Sequence, residues 1–400
     1  MAYRRQDETK ETRPLLTPSG VIAALRALGP ELSERADEAE EARRPPEDLF
    51  DKLAATGIFR ILWPAARGGG EFTLPDAIPI LETLAAFDGS AGWSTMIGVE
   101  SASLWLRFPD GIATARNPQY GVLTRACLNP RGQAVETPEG WHVRGRWPLA
   151  SGAYDADWFI ATAIVTGADG PKMRPDGQLD LRIFAIPADR AQMHDTWRAL
   201  GLRSTMSHDV SFDTVIPADH CAQGPGVIES PYPLGRLPMW LALGPFHCAV
   251  ALGITRGALE EVIALLPFKR PMLNPTIKTS EDPLVQSRIG TAATRLSGVR
   301  AFLLSEAQAI WDTASRNEEF TSIMRARSRA MMSFVHTECS AVMDDLFLLS
   351  GTTPLYDGSP LQRRYRDLRA ACQHIVASPE IYRPFGALLM GVTPPMEAAL

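Results

Sequence analysis

His374, Glu100 and Ser151 are the residues of this chain whose types and settings suit proton transfer and hydrogen-bond donation. Histidine titrates near neutral pH and can serve as a general base. His374 stands near the end of an apolar helical stretch, where its cation would also gain from the helix dipole. Glu100 lies in GWSTMIGVESASLW (92–105), and the nearest basic residue downstream is Arg107. An unpartnered buried carboxylate is costly. Glu100 therefore either emerges into solvent or faces a polar pocket. In a pocket it would bind a cationic or hydrogen-bond-donating substrate, or act as a second base. Trp93 and Trp147 either fill core or wall a pocket. Arg288 opens a long helix, as a solvated arginine or as a phosphate contact. His142, His194, His220, His247 and His336 show no metal spacing with one another, so no metal is expected. ARGGGEF (66–72) lacks the lysine and hydroxyl of a phosphate loop and reads as a turn.

Three textures follow one another and must position these residues. Over 1–118 the pattern is helical, with Leu49, Leu53 and Ile58 near helical spacing after Pro45-Pro46. Further helices are expected at about 75–87 and 90–107, split at Asp88-Gly89. Over 119–225 the pattern turns to short strands every 8–12 residues, GVLTRACL, GWHVRGRWPLA, DWFIATAIV, LRIFAIP and HDVSFDTVIP. That spacing predicts a small barrel or sandwich. Over 226–400 long helices return. Val285, Ile289, Ala292, Leu296, Val299, Leu303, Ala307 and Ile310 form one helical stripe behind the cap Asp282-Pro283. Ser359-Pro360-Leu361-Gln362 reads as a capping box, and Leu361, Tyr365, Leu368, Cys372 and Ile375 as the apolar face behind it. The fold class is α+β, mostly α, with a C-terminal four-helix-type bundle. No GxGxxG follows a strand, which disfavours a Rossmann domain.

Composition narrows the classes further. The 400 residues carry 46 acidic and 40 basic side chains, a formal net charge of -6, without the basic stripe of a nucleic-acid binder. Five scattered cysteines without a CxxC pair fit a reducing cytoplasm. The opening MAYRRQDETKETR has no apolar targeting core. LPMWLALGPFHCAVALGIT (237–255) carries no formal charge, but Pro238, Gly244, Pro245, His247 and Gly253 interrupt it. It reads as a helix buried on all sides, not as a membrane span.

Three segments in this order resemble the acyl-CoA dehydrogenase fold over about residues 20–392. They are GRWPLASG (145–152) with ADW (156–158), WRALGLRSTMSHDV (197–210) running into VIP (215–217), and PLQRRYRDLRAACQH (360–374). More narrowly the chain is similar to the flavin-dependent monooxygenases on that fold, the oxygenase halves of two-component systems. Common acyl-CoA dehydrogenases keep a catalytic glutamate about nine residues after the arginine of an Arg-Asp pair. From Arg366 that place is Ile375, which cannot abstract a proton, whereas His374 matches the histidine of the monooxygenase branch.

The resemblance implies reduced FMN or FAD supplied by a separate reductase, and a C4a-hydroperoxide that oxygenates a small aromatic or amine-bearing substrate. It implies Ser151 beside the flavin ring, with Trp93, Trp147, Ser207 and Arg288 as further flavin contacts, and His374 as the base. It implies a homotetramer. Many relatives carry a histidine where this chain has Glu100, which would change the substrates tolerated. His208 is a loop residue of the second segment, and Arg366 and Asp367 are expected to hold helix packing. Two other readings stay open. One is a dehydrogenase or desaturase using Glu100 or His374 as base, and the other is a non-catalytic flavin-fold binding subunit.

Overall fold

The computed structural model describes residues 16–394, apart from 225 and 273. The opening tract MAYRRQDETKETR lies outside the described residues. The N-terminal helices are α1 (Pro18–Glu34), α2 (Ala36–Ala42), α3 (Glu47–Ala55), α4 (Leu74–Phe87) and α5 (Gly89–Trp105). Thr73 and Asp76 close a reciprocal capping box at the start of α4. A single residue, Asp88, separates α4 from α5, and its carboxylate accepts from Ala91 N at 2.6 Å to cap the second helix. Residues 66–72 form a turn, and Gly68 takes a left-handed φ of 77° there.

The middle of the chain supplies strands β1 (Thr124–Thr137), β2 (Gly140–Trp147), β3 (Ser151–Gly152), β4 (Trp158–Gly167), β5 (Gly170–Pro171), β6 (Leu181–Pro187), β7 (Gln192–His194), β8 (Asp209–Ile216) and β9 (Cys221–Gln223). Their hydrogen bonding follows one path, β7-β8-β2-β1-β4-β6-β9, with β3 on β1 and β5 on β4. β1 and β4 run parallel, and their register breaks between Cys127 and Gly132. The break lets Gly132 lie against the Trp147 indole, where a Cβ would sit 1.9 Å from a ring carbon.

Side chains alternate across a strand, so one strand can feed two cores. Trp158 and Ile160 of β4, with Ile183 and Ala185 of β6, pack into the large helical core. Their neighbours Phe159, Ala161, Phe184 and Ile186 pack into a second core with Val143, Trp147, Val210 and Phe212.

The C-terminal helices are α6 (Pro233–Arg236), α7 (Met239–Leu265), α8 (Pro283–Ser315), α9 (Ser322–Leu349), α10 (Pro360–Ala371) and α11 (Tyr382–Leu389). The uncharged tract forms most of α7, buried continuously from Leu241 to Thr255. No helix among the described residues is long and apolar enough to cross a membrane. The stripe on α8 is buried at Ala292, Leu296, Val299, Leu303, Ala307 and Ile310, and Asp282 caps it through Leu284 N at 2.8 Å.

Two expectations about α10 are corrected. Ser359 makes no side-chain cap bond, and the Gln362 side chain, instead of reaching back to it, bonds Asp357 and accepts from Arg366 Nε at 3.2 Å. The helix also stops at Ala371, so Ile375 leaves the apolar face and is half exposed. Past the helix, His374 opens a one-turn 3-10 helix over Ile375–Ala377.

Candidate active site

Helix α5 is buried along nearly its whole length between α4, α7 and the strand β3. One stripe of α5 carries Trp93 and, two turns on, Glu100. Helix α7 lies beside it and brings His247 to the same stripe. The chain beyond α10 brings His374. The rings of His247 and His374 stack 4.2 Å apart at 16°. Trp93 meets both nearly edge-on, with centroids 5.1 Å from His247 and 5.8 Å from His374.

Glu100 is only 4% exposed, which removes the solvated alternative. Its Oε1 lies 3.5 Å from His247 Nε2. Glu100 Oε2, His247 Nδ1 and His336 Nε2 are buried with no hydrogen-bond partner among the described protein atoms. Burial pushes the Glu100 carboxyl well above the usual carboxylate range and His247 down to about 3. The pair is therefore a neutral acid beside a neutral imidazole rather than an ion pair. His336 on α9 donates from Nδ1 to Met332 O at 2.8 Å and is lowered to about 4. Burial first, then the neighbouring His247 and His336, holds His374 well below its usual range. Val376 N donates to His374 Nδ1 at 3.4 Å, which favours the tautomer with its hydrogen on Nε2. A contact that long constrains the tautomer only weakly.

On the other side of Trp93 runs a chain of hydroxyls. The Trp93 indole N–H donates to Ser151 Oγ at 3.4 Å. Ser151 Oγ lies 2.6 Å from Ser207 Oγ, which lies 2.7 Å from Thr205 Oγ1. Thr205 donates to Leu202 O at 2.8 Å, so the whole chain is satisfied when every donor points toward Leu202. Ser151 can turn its hydrogen to a ligand by giving up one bond to Ser207.

The backbone here is under strain. Leu149, Leu202 and Met206 are non-glycine residues with φ of 60°, 53° and 51°. Such positions cost on the order of 1–3 kcal/mol each and persist only where surroundings hold them. Asp367 holds Leu202, and Arg125 holds the other two positions. Its buried guanidinium donates to Ala150 O at 3.0 Å and to Thr205 O at 3.4 Å, and also to Met206 O. Burial lowers it to about 10, so it stays charged at neutral pH. The serines thus sit on rigid backbone with a positive charge behind them. A serine hydroxyl that can be freed on a buried edge, with a second hydroxyl and an indole beside it, fits a heteroaromatic ring rich in hydrogen-bond acceptors, which is what a flavin presents.

The remaining sequence candidates fall elsewhere. Trp147 is corrected to core. It is fully buried in the second core, its N–H donates to Thr162 O at 2.7 Å, and its ring packs on Phe212. Arg288 faces outward on α8, 3.4 Å from Asp345 Oδ1, and is not joined to the cluster. His208 accepts from Thr196 N at 3.2 Å and Trp197 N at 3.0 Å, pinning the loop that ends in the serine chain. Arg366 binds Glu40 and Leu200 O, and Asp367 accepts from Leu202 N at 2.6 Å. Both tie α10 to that loop, and only the Arg366–Glu40 pair joins helix to helix as the sequence suggested. His142, His194 and His220 bond Asp213, Ser211 and Ala185 O. No group that could hold a metal ion occurs among the described residues.

Sequence reasoning gave His247, His336, Thr205 and Arg125 no role. The signal for His247 was present, a histidine in the middle of 19 residues without formal charge. For Thr205 and Arg125 no local signal existed. A separate, largely apolar cleft between α1–α3 and α5 ends at Gly152 and Thr205, and none of the histidines lines it.

Known proteins resemble this chain along most of its length. Residues 23–107 match the model of the acyl-CoA dehydrogenase N-terminal domain, and 246–379 that of the C-terminal domain. The chain is 27% identical over 367 residues to the flavin-dependent monooxygenase oxygenase subunit HsaA of Rhodococcus jostii, covering 89% of this chain and 94% of that protein. It is 25% identical over 375 residues to indole-3-acetate monooxygenase of Acinetobacter baumannii, covering 92% and 94%. The crystal structure of the HsaA monooxygenase from M. tuberculosis superimposes with a TM-score of 0.84 at 25% identity, over 95% of this chain and 99% of that one.

Proposed function

The chain belongs to the acyl-CoA dehydrogenase family, and from that membership we propose that it is a flavin-dependent monooxygenase, the oxygenase component of a two-component system. Its relatives of that function match along nearly their whole length. One observation carries the reading within the family. Where a dehydrogenase would keep its glutamate base, Ile375 points half into solvent, while its neighbour His374 turns inward onto Trp93 and His247.

The cofactor is reduced FMN or FAD delivered by a reductase, and when bound it supplies the activation of O2. Ser151, Ser207 and Trp93 hold its ring edge. Their burial, with the apolar packing around α5 and α7, excludes water, which a reactive oxygen species needs to survive. His374, neutral at physiological pH, takes the proton of a substrate hydroxyl or amine and so makes it a better nucleophile. The tautomer switch this requires gives up the 3.4 Å contact from Val376, at a cost of well under about 1 kcal/mol. Glu100 stands beside His247, which stacks on His374.

The protein works in the cytoplasm as a homotetramer. Its five free cysteines support the first point. Phe268, Met272, Leu284 and Leu348, exposed on the C-terminal helices and their loops, support the second. Arg288 would reach a flavin phosphate only across such a subunit contact. The chain divides functionally into 1–118, 119–225 and 226–400, with the site where all three meet.

Turnover under ¹⁸O2 with a flavin reductase tests the reading. One labelled oxygen atom in an aromatic or amine product is expected. Product formed anaerobically with an artificial electron acceptor would instead make it a dehydrogenase, and failure to bind any flavin would make it a binding subunit.

A further inference from the structure

Trp93 touches Ser151 at one end of the α5 stripe, and Glu100 stands seven residues further along. At 1.5 Å per residue that is about 10 Å, close to the length of a fused bicyclic ring with a short side arm. His374 lies near the Trp93 end, stacked on His247, and His247 reaches Glu100. The stripe thus has a reacting end and a remote end with different chemistry.

At the remote end no arginine or lysine contacts Glu100 among the described residues, and the side chain beside it is His247. Both Glu100 Oε2 and His247 Nδ1 are more than nine-tenths buried and lack a protein partner. A buried acceptor left unmatched costs about 1–3 kcal/mol, so such atoms persist where a bound molecule satisfies them. A carboxylate placed there would be an anion buried with no arginine or lysine to neutralise it. A hydroxyl or ammonium group would give Oε2 its missing donor.

We propose that Glu100 and His247 read the end of the substrate remote from the flavin, accepting a hydroxyl or ammonium donor there and rejecting a carboxylate. This rests on the monooxygenase reading for what lies at the other end. It also separates this chain from a relative named for indole-3-acetate, whose side arm is an anion.

Three probes with one ring system and different arms decide the matter: tryptophol, tryptamine and indole-3-acetate. Each is titrated calorimetrically into the full-length protein at pH 7, under nitrogen with reduced FMN present. Tryptophol and tryptamine are expected to bind at least about 10-fold more tightly than indole-3-acetate. Glu100→Leu should shrink that preference to within about 2-fold. Glu100→Gln keeps an acceptor but has no proton to give up to become an ammonium's counter-charge, so it should retain tryptophol and lose tryptamine affinity, and it serves should the leucine variant not fold. Equal or tighter binding of indole-3-acetate, an unchanged preference in both variants, or no binding of any probe overturns the proposal. Admitting ¹⁸O2 to the same samples checks the oxygenase reading separately. A Glu100-dependent preference without ¹⁸O incorporation would leave this proposal standing and remove that reading.

Discussion

His247 and His374 stack ring on ring although they come from α7 and from the chain beyond α10, more than a hundred residues apart. Burial lowers the proton affinity of both, and His247 lowers that of His374 further. His374 is therefore a base kept ready in its unprotonated form rather than a switch poised at pH 7.

From this follows a pH profile. The acid limb of kcat should lie well below pH 6.5, with turnover flat from about pH 6.5 to 8. A profile of initial rates at saturating reduced flavin measures it. A limb centred at 6.5 or above would show that His374 is solvated during turnover.

Substitution separates the two jobs an imidazole could do. His374→Ala and His374→Gln should both lower product formation by roughly 10²-fold if the ring removes a proton. Glutamine keeps an N–H donor near the position of Nε2. Retention of activity in His374→Gln alone would make the residue a donor instead. Reduced-flavin affinity should change less than about 3-fold in either variant.

Ser151→Ala breaks the run of hydroxyls between Trp93 and Ser207. The fold loses little, because Ser207 keeps Thr205. Product per O2 consumed should fall severalfold while peroxide release rises, as an oxygen electrode with catalase addition would show. Full coupling would remove Ser151 from the site.

Stability should respond to pH through two opposed sets of groups. His336 and His247 are lowered from 6.5 to about 4 and about 3. Their contribution is fully present above pH 6.5 and is lost as pH falls from there toward those values, because the unfolded chain takes up protons first. Asp367 is raised from 3.8 to about 7 by burial and by Asp88. Its contribution is fully present below pH 3.8 and is lost as pH rises toward 7. Asp367→Asn keeps an oxygen for Leu202 N and removes only the second trend. Its Tm should match or exceed that of the natural protein at pH 8, and should fall more steeply between pH 6.5 and 4.5 in scanning calorimetry.

Trp147→Ala should cost about 3–5 kcal/mol, as expected for an aromatic removed from a closed core. Flavin affinity measured on the folded fraction should barely move. Lost affinity with unchanged denaturant midpoint would return Trp147 to the pocket.

The sequence displayed what local chemistry encodes. The 3-4 stripe of α8 and its Asp282 cap were legible because one helix face carries both. Glu100 was conspicuous because an acid in an apolar run has few explanations. The serine pair was found through the motif around it. What escaped depends on contacts between distant segments. Nothing near His247 announces His374, and Arg125 resembles any strand arginine until its carbonyl partners close around it. The end of α10 was overrun because no glycine or proline precedes Pro379 to mark it.

The alternation of β4 and β6 between two cores makes the sheet a party wall. Ile160 cannot leave the helical core without drawing Phe159 from the other. Each half of the molecule therefore supplies the foundation on which the other stands, and the chain should melt as one cooperative unit. The gap between Ser151 on the sheet side and Trp93 on the helix side is then fixed by the whole molecule's stability. A substitution far from the pocket that loosens either core would widen that gap before it unfolded the protein, and its first symptom would be wasted oxygen.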